Sequence, residues 1–247
     1  MARLGEVSNA TGMVATLVAA GLVAGCTTTQ QKAARLQLAD ERLRAAQLAT
    51  RVRVAGSAVS VTGVELLREG RRAAFVIVVR NPGDAPVSEL PISVGYRRPG
   101  GRRVYVNAET DAGYYDSHLP LIAGRASIRW VLSGVRGAPA AARPFVLVGG
   151  RPTVSVTGLA HPPALSVSVR GPVADGRATV MLRNASDITQ YDLPLYATAL
   201  ANGRTIAAGS ATVGQLNGGA TRTVRIRLVG DAARGRLTVE ALPTIYH

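Results

Sequence analysis

The feature that most limits how this chain can fold is that its second half repeats its first. Arg80-Asn81 recurs as Arg183-Asn184, and Leu90-Pro91 recurs as Leu193-Pro194, both at a spacing of 103 residues. Before them Val59-Ser60-Val61-Thr62-Gly63 recurs as Val154-Ser155-Val156-Thr157-Gly158, and after them Pro152-Thr153 recurs as Pro243-Thr244. Four landmarks in one order define two copies of one unit, residues 56–152 and 153–247. Whatever architecture one copy adopts, the other must adopt as well. Each copy is long enough to bury a small core of its own.

Both copies carry the period of a sheet. Ile128, Trp130 and Leu132 alternate with Ser127 and Arg129, and Val224, Ile226 and Leu228 alternate with Thr223, Arg225 and Arg227. Alternation of this kind puts one face in a core and one in water. Phe75 to Val79 is continuously apolar, as suits a strand in a sandwich core. Turn signals punctuate the runs: Asn81-Pro82-Gly83-Asp84, Pro99-Gly100-Gly101, Asn202-Gly203 and Asn217-Gly218-Gly219. No helical period interrupts either copy. The expectation is all-β: two tandem antiparallel sandwiches of short strands. Asn81 and Asn184 stand at equivalent strand ends, where an asparagine bonds its own backbone and opens a turn.

In each copy a β run ends in Arg-Asn, followed by an acidic or polar turn, Leu-Pro, a strand, a glycine turn and a last strand. This order resembles the bacterial extracytoplasmic immunoglobulin-like domains, in particular the CARDB-type and FxLYD-type modules. The resemblance covers both copies and implies immunoglobulin-like sandwiches with a spacer, adhesion or binding role.

The N-terminal quarter reads differently. An apolar run from Met13 to Ala24 leads into Leu22-Val23-Ala24-Gly25-Cys26, and Cys26 is the only cysteine. The run is too short to span a bilayer and has the length of a signal-peptide core. The arrangement resembles a bacterial lipoprotein signal with its lipobox. The resemblance implies that residues 1–25 are removed and that Cys26 becomes an acylated N-terminus. The mature chain would then be tethered to a membrane, outside the cytoplasm, by lipid alone. A lone cysteine also leaves no partner for a disulfide. Residues 26–55 follow as a lipidated N-terminus and helical stalk. Thr28 to Gln31 has the spacing of a capping box, and alanine, leucine, glutamine and arginine fill the stretch from Lys32 to Leu48. Leu36 and Leu43 lie one heptad apart, a stripe that either pairs with another helix or rests on the first unit.

The formal net charge is +14, with 28 of the 29 basic residues being arginine. A cationic surface is drawn to anionic head groups and anionic wall polymers. Nucleic acid is not expected as a partner, because aromatics are only 4% and no basic run alternates with stacking rings. Catalytic chemistry is poorly supplied. There are three histidines, no Gly-x-Ser-x-Gly, no CxxC and no HExxH. The expectation is a protein that is not an enzyme and needs no cofactor or metal.

One segment asks for explanation. From Gly100 to Leu121 is 21 residues, whereas the matching Gly203 to Leu216 is 13. The eight additional residues fall around Glu109, Asp111, Tyr114, Tyr115, Asp116 and His118. Extra loop material on a rigid sandwich is where binding commonly sits, and tyrosine offers contact area at low entropic cost. Two readings stay open: a partner-binding loop with exposed tyrosines, and a hairpin whose tyrosines plug the sandwich end. Oxygen ligands for a cation are also present, but their spacing matches no EF-hand. The whole reads as a lipid-anchored envelope protein that presents two β units to a protein or wall-polymer partner. The alternative is an accessory subunit of an envelope complex, recruited through the N-terminal helix.

Overall fold

The computed structural model describes residues 32–34, 36–37, 52–107, 113–150 and 163–245. Cys26, Glu109, Asp111 and the 154–158 landmark lie outside the described residues.

The first half forms strands β1 (Ser60–Glu69), β2 (Arg72–Arg80), β3 (Leu90–Arg97), β4 (Arg103–Tyr105), β5 (His118–Leu119), β6 (Ser127–Arg136) and β7 (Arg143–Val148). The second forms β8 (Leu165–Val169), β9 (Arg177–Asn184), β10 (Gln190–Ala201), β11 (Arg204–Leu216), β12 (Thr221–Arg227), β13 (Val229–Gly230) and β14 (Arg236–Ala241). Among the described residues all pairing is antiparallel, and no strand of one half pairs with a strand of the other. The fold is all-β. In the first half, β1-β2-β6 faces a sheet in which β3 pairs with β7 on one side and with β4 and β5 on the other. In the second, β8-β9-β12 faces β13-β11-β10-β14.

The alternation seen in the sequence is what fills the cores. Phe75, Ile77 and Val79 meet Leu90, Ile92, Val94 and Trp130 in the first half. Ala178, Val180 and Leu182 meet Leu193, Leu195, Ala197 and Ile226 in the second. Burial of these side chains out of water is the main favourable term.

The repeat is sharper in structure than in sequence. Glu89 and Asp192, 103 apart, both take a left-handed backbone, with φ of 56° and 47°. Gly124 and Gly218 each lie so close to an aspartate carbonyl, Asp84 and Asp187, that a Cβ would collide with it. Ser60 pairs with Arg80, and the residue that pairs with Arg183 in the second half is Ser166. The structural counterpart of the Ser60 strand is thus β8.

The two halves dock face to face. Tyr196, Ala208 and Val229 of the second half belong to the same buried cluster as Val76, Val131 and Trp130 of the first. Ser210 N donates to Ser133 Oγ at 3.0 Å, and the two hydroxyls lie 2.9 Å apart. Gly230 N donates to Glu69 Oε2 at 3.4 Å. The result is four sheets in a stack, with β1-β2-β6 and β13-β11-β10-β14 as the inner pair. Composition follows the covering. Ala74 and Val76 of β2 and Val131 of β6 point out of the first core yet are buried. The positions that match them on the uncovered sheet of the second half are Arg177, Thr179 and Arg225, all at least partly exposed.

Residues 32–34 and 36–37 are helical. Ala34 packs with Ile188, Tyr191 and Ile245, so this segment touches the second half, where the sequence suggested a free stalk or the first half.

Candidate functional site

The inserted loop interrupts a strand. In the second half β11 pairs with β10 from Gln190–Leu216 to Ala201–Arg204. In the first half the same partner is broken into β4, against Gly95–Arg97, and β5, against Leu90–Pro91. Asn107 fills the gap with its side chain. Its amide donates to Ile92 O at 2.7 Å and to Asp116 O at 2.9 Å, and its Oδ1 accepts from Val94 N at 2.9 Å. A carboxamide carries the same donor and acceptor as a peptide unit, so one side chain stands in for the missing strand segment.

Beyond the gap, Tyr114–Asp116 form one 3-10 turn. Asp116 Oδ2 accepts from Gly113 N at 2.8 Å and holds the turn's entry. Tyr115 is only 4% exposed; its hydroxyl donates to Glu89 Oε1 at 3.0 Å. Trp130 Nε1 donates to Tyr115 O at 2.9 Å, tying the turn to the core tryptophan. His118 is 2% exposed and stacks flat on Tyr114, with ring centroids 4.2 Å apart and planes at 2°. Its Nδ1 lies 3.1 Å from Ser117 Oγ and 3.2 Å from Tyr114 O. Partial burial raises the Asp116 carboxyl above the usual aspartate range, opposed by the Gly113 N–H. Tyr196, from the second half, is fully enclosed and also feels the Asp116 charge, so its phenol is pushed well above its ordinary value.

The loop's described residues therefore act as a plug at the edge where the halves meet. Tyr115 and His118 offer no side-chain surface to a partner. Tyr114 and Asp116 are half-buried, and Glu109 and Asp111 lie outside the described residues. The exposed tyrosine pair that a binding loop needs is thus absent at Tyr115. Ser117 and His118 touch because they are neighbours in a tight turn. Among the described residues no three His, Cys, Asp or Glu side chains converge on a metal-binding point. Sequence reasoning missed Glu89 and Tyr196, and read Asn107 only as one of the oxygen ligands a cation could use, where its amide instead bonds backbone. Glu89 had a signal in its acidic match at Asp192, and Asn107 had one in its place just before the extra residues.

No family model matches the chain, and no curated protein matches it. Among solved structures it is similar to red sea bream transglutaminase over 75% of this chain and 30% of that one, at 12% identity and a TM-score of 0.21. A likeness at this level carries no argument about activity.

Proposed function

We propose that the chain is a lipid-anchored, extracytoplasmic envelope protein, a non-catalytic module that presents two docked β units to a protein or an anionic wall polymer. The single observation that carries this reading is Cys26, the only thiol, set directly behind Leu22-Val23-Ala24-Gly25 and a short apolar run. Among the described residues no helix is long and apolar enough to cross a membrane. Face-to-face docking makes the two units one stiff presenter. Metabolic labelling with a fatty-acid probe tests the anchor. Cys26→Ser removes the sulfur that forms the thioether and should abolish labelling; labelling at the parental level would end this reading.

One observation favours a second reading, recruitment into an envelope complex through the N-terminal helix. Leu36 sits in that helix and is 71% exposed. If so, Leu36→Asp should release the chain from a crosslinked envelope complex while leaving fatty-acid labelling intact.

A further inference from the structure

The outer face of β4-β3-β7 is the free side of the first half, and at its end three arginines stand in one row. Arg97 pairs with Arg103 on one neighbouring strand and with Arg143 on the other. Adjacent strands are about 4.8 Å apart, so three like charges span about 10 Å. Like charges directly opposite one another destabilise a sheet. Arg98 and Arg102 extend the cluster into the turn through Gly100 and Gly101, whose φ of 87° and 83° leave it free of side chains. All five arginines are exposed. None of the five has an ion pair or a side-chain hydrogen bond with another described residue.

The row is also held in place. Arg97 and Arg103 lie over the ring of Phe145, with guanidinium carbons 5.8 and 5.5 Å from its centroid. Phe145 points out of the sheet yet is only 8% exposed, because these side chains and the edge of Tyr105 cover it. Gly95 makes room: a Cβ there would sit 2.9 Å from the Phe145 ring. Cation–π contact fixes two guanidiniums side by side without neutralising either. Beside them opens a cleft of about 390 Å³ bordered by Arg97, Arg98 and Arg143.

The geometry points to a binding site for an extended phosphate-bearing polyanion, laid across the strands over Arg103, Arg97 and Arg143. Forked guanidiniums are matched to phosphoryl oxygens, and three in line favour a chain of anionic groups over a single ion. A nucleic acid strand fits less well, because Phe145 is covered by arginine and offers no face for a base. A flat lipid surface would be met by protruding side chains, whereas Arg97, Arg98 and Arg143 border a cleft. The site deepens the reading of a binding module and does not depend on the lipid anchor. Labelling at Cys26 reads the anchor and titration reads this site, so each can fail alone.

Sodium tripolyphosphate, titrated calorimetrically into the full chain in detergent, is the probe. Arg97→Gln, Arg103→Gln and Arg143→Gln together should weaken binding about ten-fold or more, and the corresponding triple lysine variant should recover only part of it. Arg225→Gln with Arg227→Gln, on the far outer face, is the control and should change affinity less than about two-fold. Unchanged melting temperatures verify that the exposed substitutions leave the fold intact. The site is overturned by an absence of tripolyphosphate binding at millimolar concentration, by an equal loss in the control, or by full recovery with lysine. A chain that ignores tripolyphosphate but uses these arginines to bind phosphatidylglycerol vesicles over phosphatidylcholine vesicles would make the ligand a membrane, and would equally overturn it.

Discussion

Asn81 and Asn184, 103 residues apart, close the same turn with the same hydrogen bonds. Asn81 Nδ2 donates to the carbonyls of Ala85, Ile122 and Ala123 at 2.8, 3.3 and 3.1 Å. Asn184 Nδ2 donates to those of Ile188, Leu216 and Asn217 at 2.8, 3.3 and 3.2 Å. Each Oδ1 accepts from the backbone two residues on, Gly83 or Ser186, at 3.0 and 3.1 Å. Both side chains are buried, so alanine would strand carbonyls away from water. Either Asn→Ala substitution should cost about 3 kcal/mol, read by denaturant titration. A loss within the noise would show that water replaces the amide.

The docked inner sheets make a second prediction. Trp130 lies in the first half, its ring centroid 6.4 Å from that of Tyr196 in the second. Asn184→Ala weakens only the second half, yet it should lower the melting midpoint reported by Trp130 fluorescence, because the halves share buried surface. A Trp130 midpoint equal to that of the parent would mean that the halves melt independently.

The loop gives a third. Replacing Tyr114 and Tyr115 with serine removes a buried ring and the one stacked on His118, and should cost about 3–5 kcal/mol. Tyr115→Phe, which keeps the ring and loses the bond to Glu89, should cost about 1 kcal/mol. If the double variant melts with the parent, the pair is not a plug and the loop regains its standing as a contact surface.

These results separate what the sequence displays from what it conceals. The sheets were legible because Ile128, Trp130 and Leu132 alternate with polar neighbours, a local signal. The Arg-Asn and Leu-Pro landmarks were legible because each turn needs its own residue type. The docking was not, since Ala74, Val76 and Val131 read as core strand residues whichever sheet covers them. The match of Leu165-Ser166-Val167 to Val59-Ser60-Val61 was hidden because only the serine and one valine are shared, and pairing of Ser166 with Arg183, as of Ser60 with Arg80, is what reveals it. The inserted loop was visible by length, but the burial of Tyr115 depends on Glu89 and Trp130, both distant in sequence.

A pH dependence follows from Asp116. Its folded pKa is raised above the ordinary 3.8 by burial, so the native state holds the proton more tightly than the unfolded chain. Stability from this group is full below the unfolded value and is lost as pH rises through the folded one. Asp116→Asn removes that loss and keeps an oxygen for the Gly113 N–H. The variant should melt above the parent at pH 7, and the gain should shrink toward pH 3. Glu240, whose carboxyl burial also raises, is common to both proteins and cancels in the comparison. A variant less stable than the parent at pH 7 would show that the charged carboxylate stabilises the turn.

The proposed lipid tether at Cys26 is decided by the mass of the N-terminal peptide. Chain extracted from membranes and digested should yield an N-terminal peptide that begins at Cys26 and carries the added mass of a diacylglyceryl group. A peptide that begins before Cys26, or one that begins there with an unmodified thiol, would contradict the account.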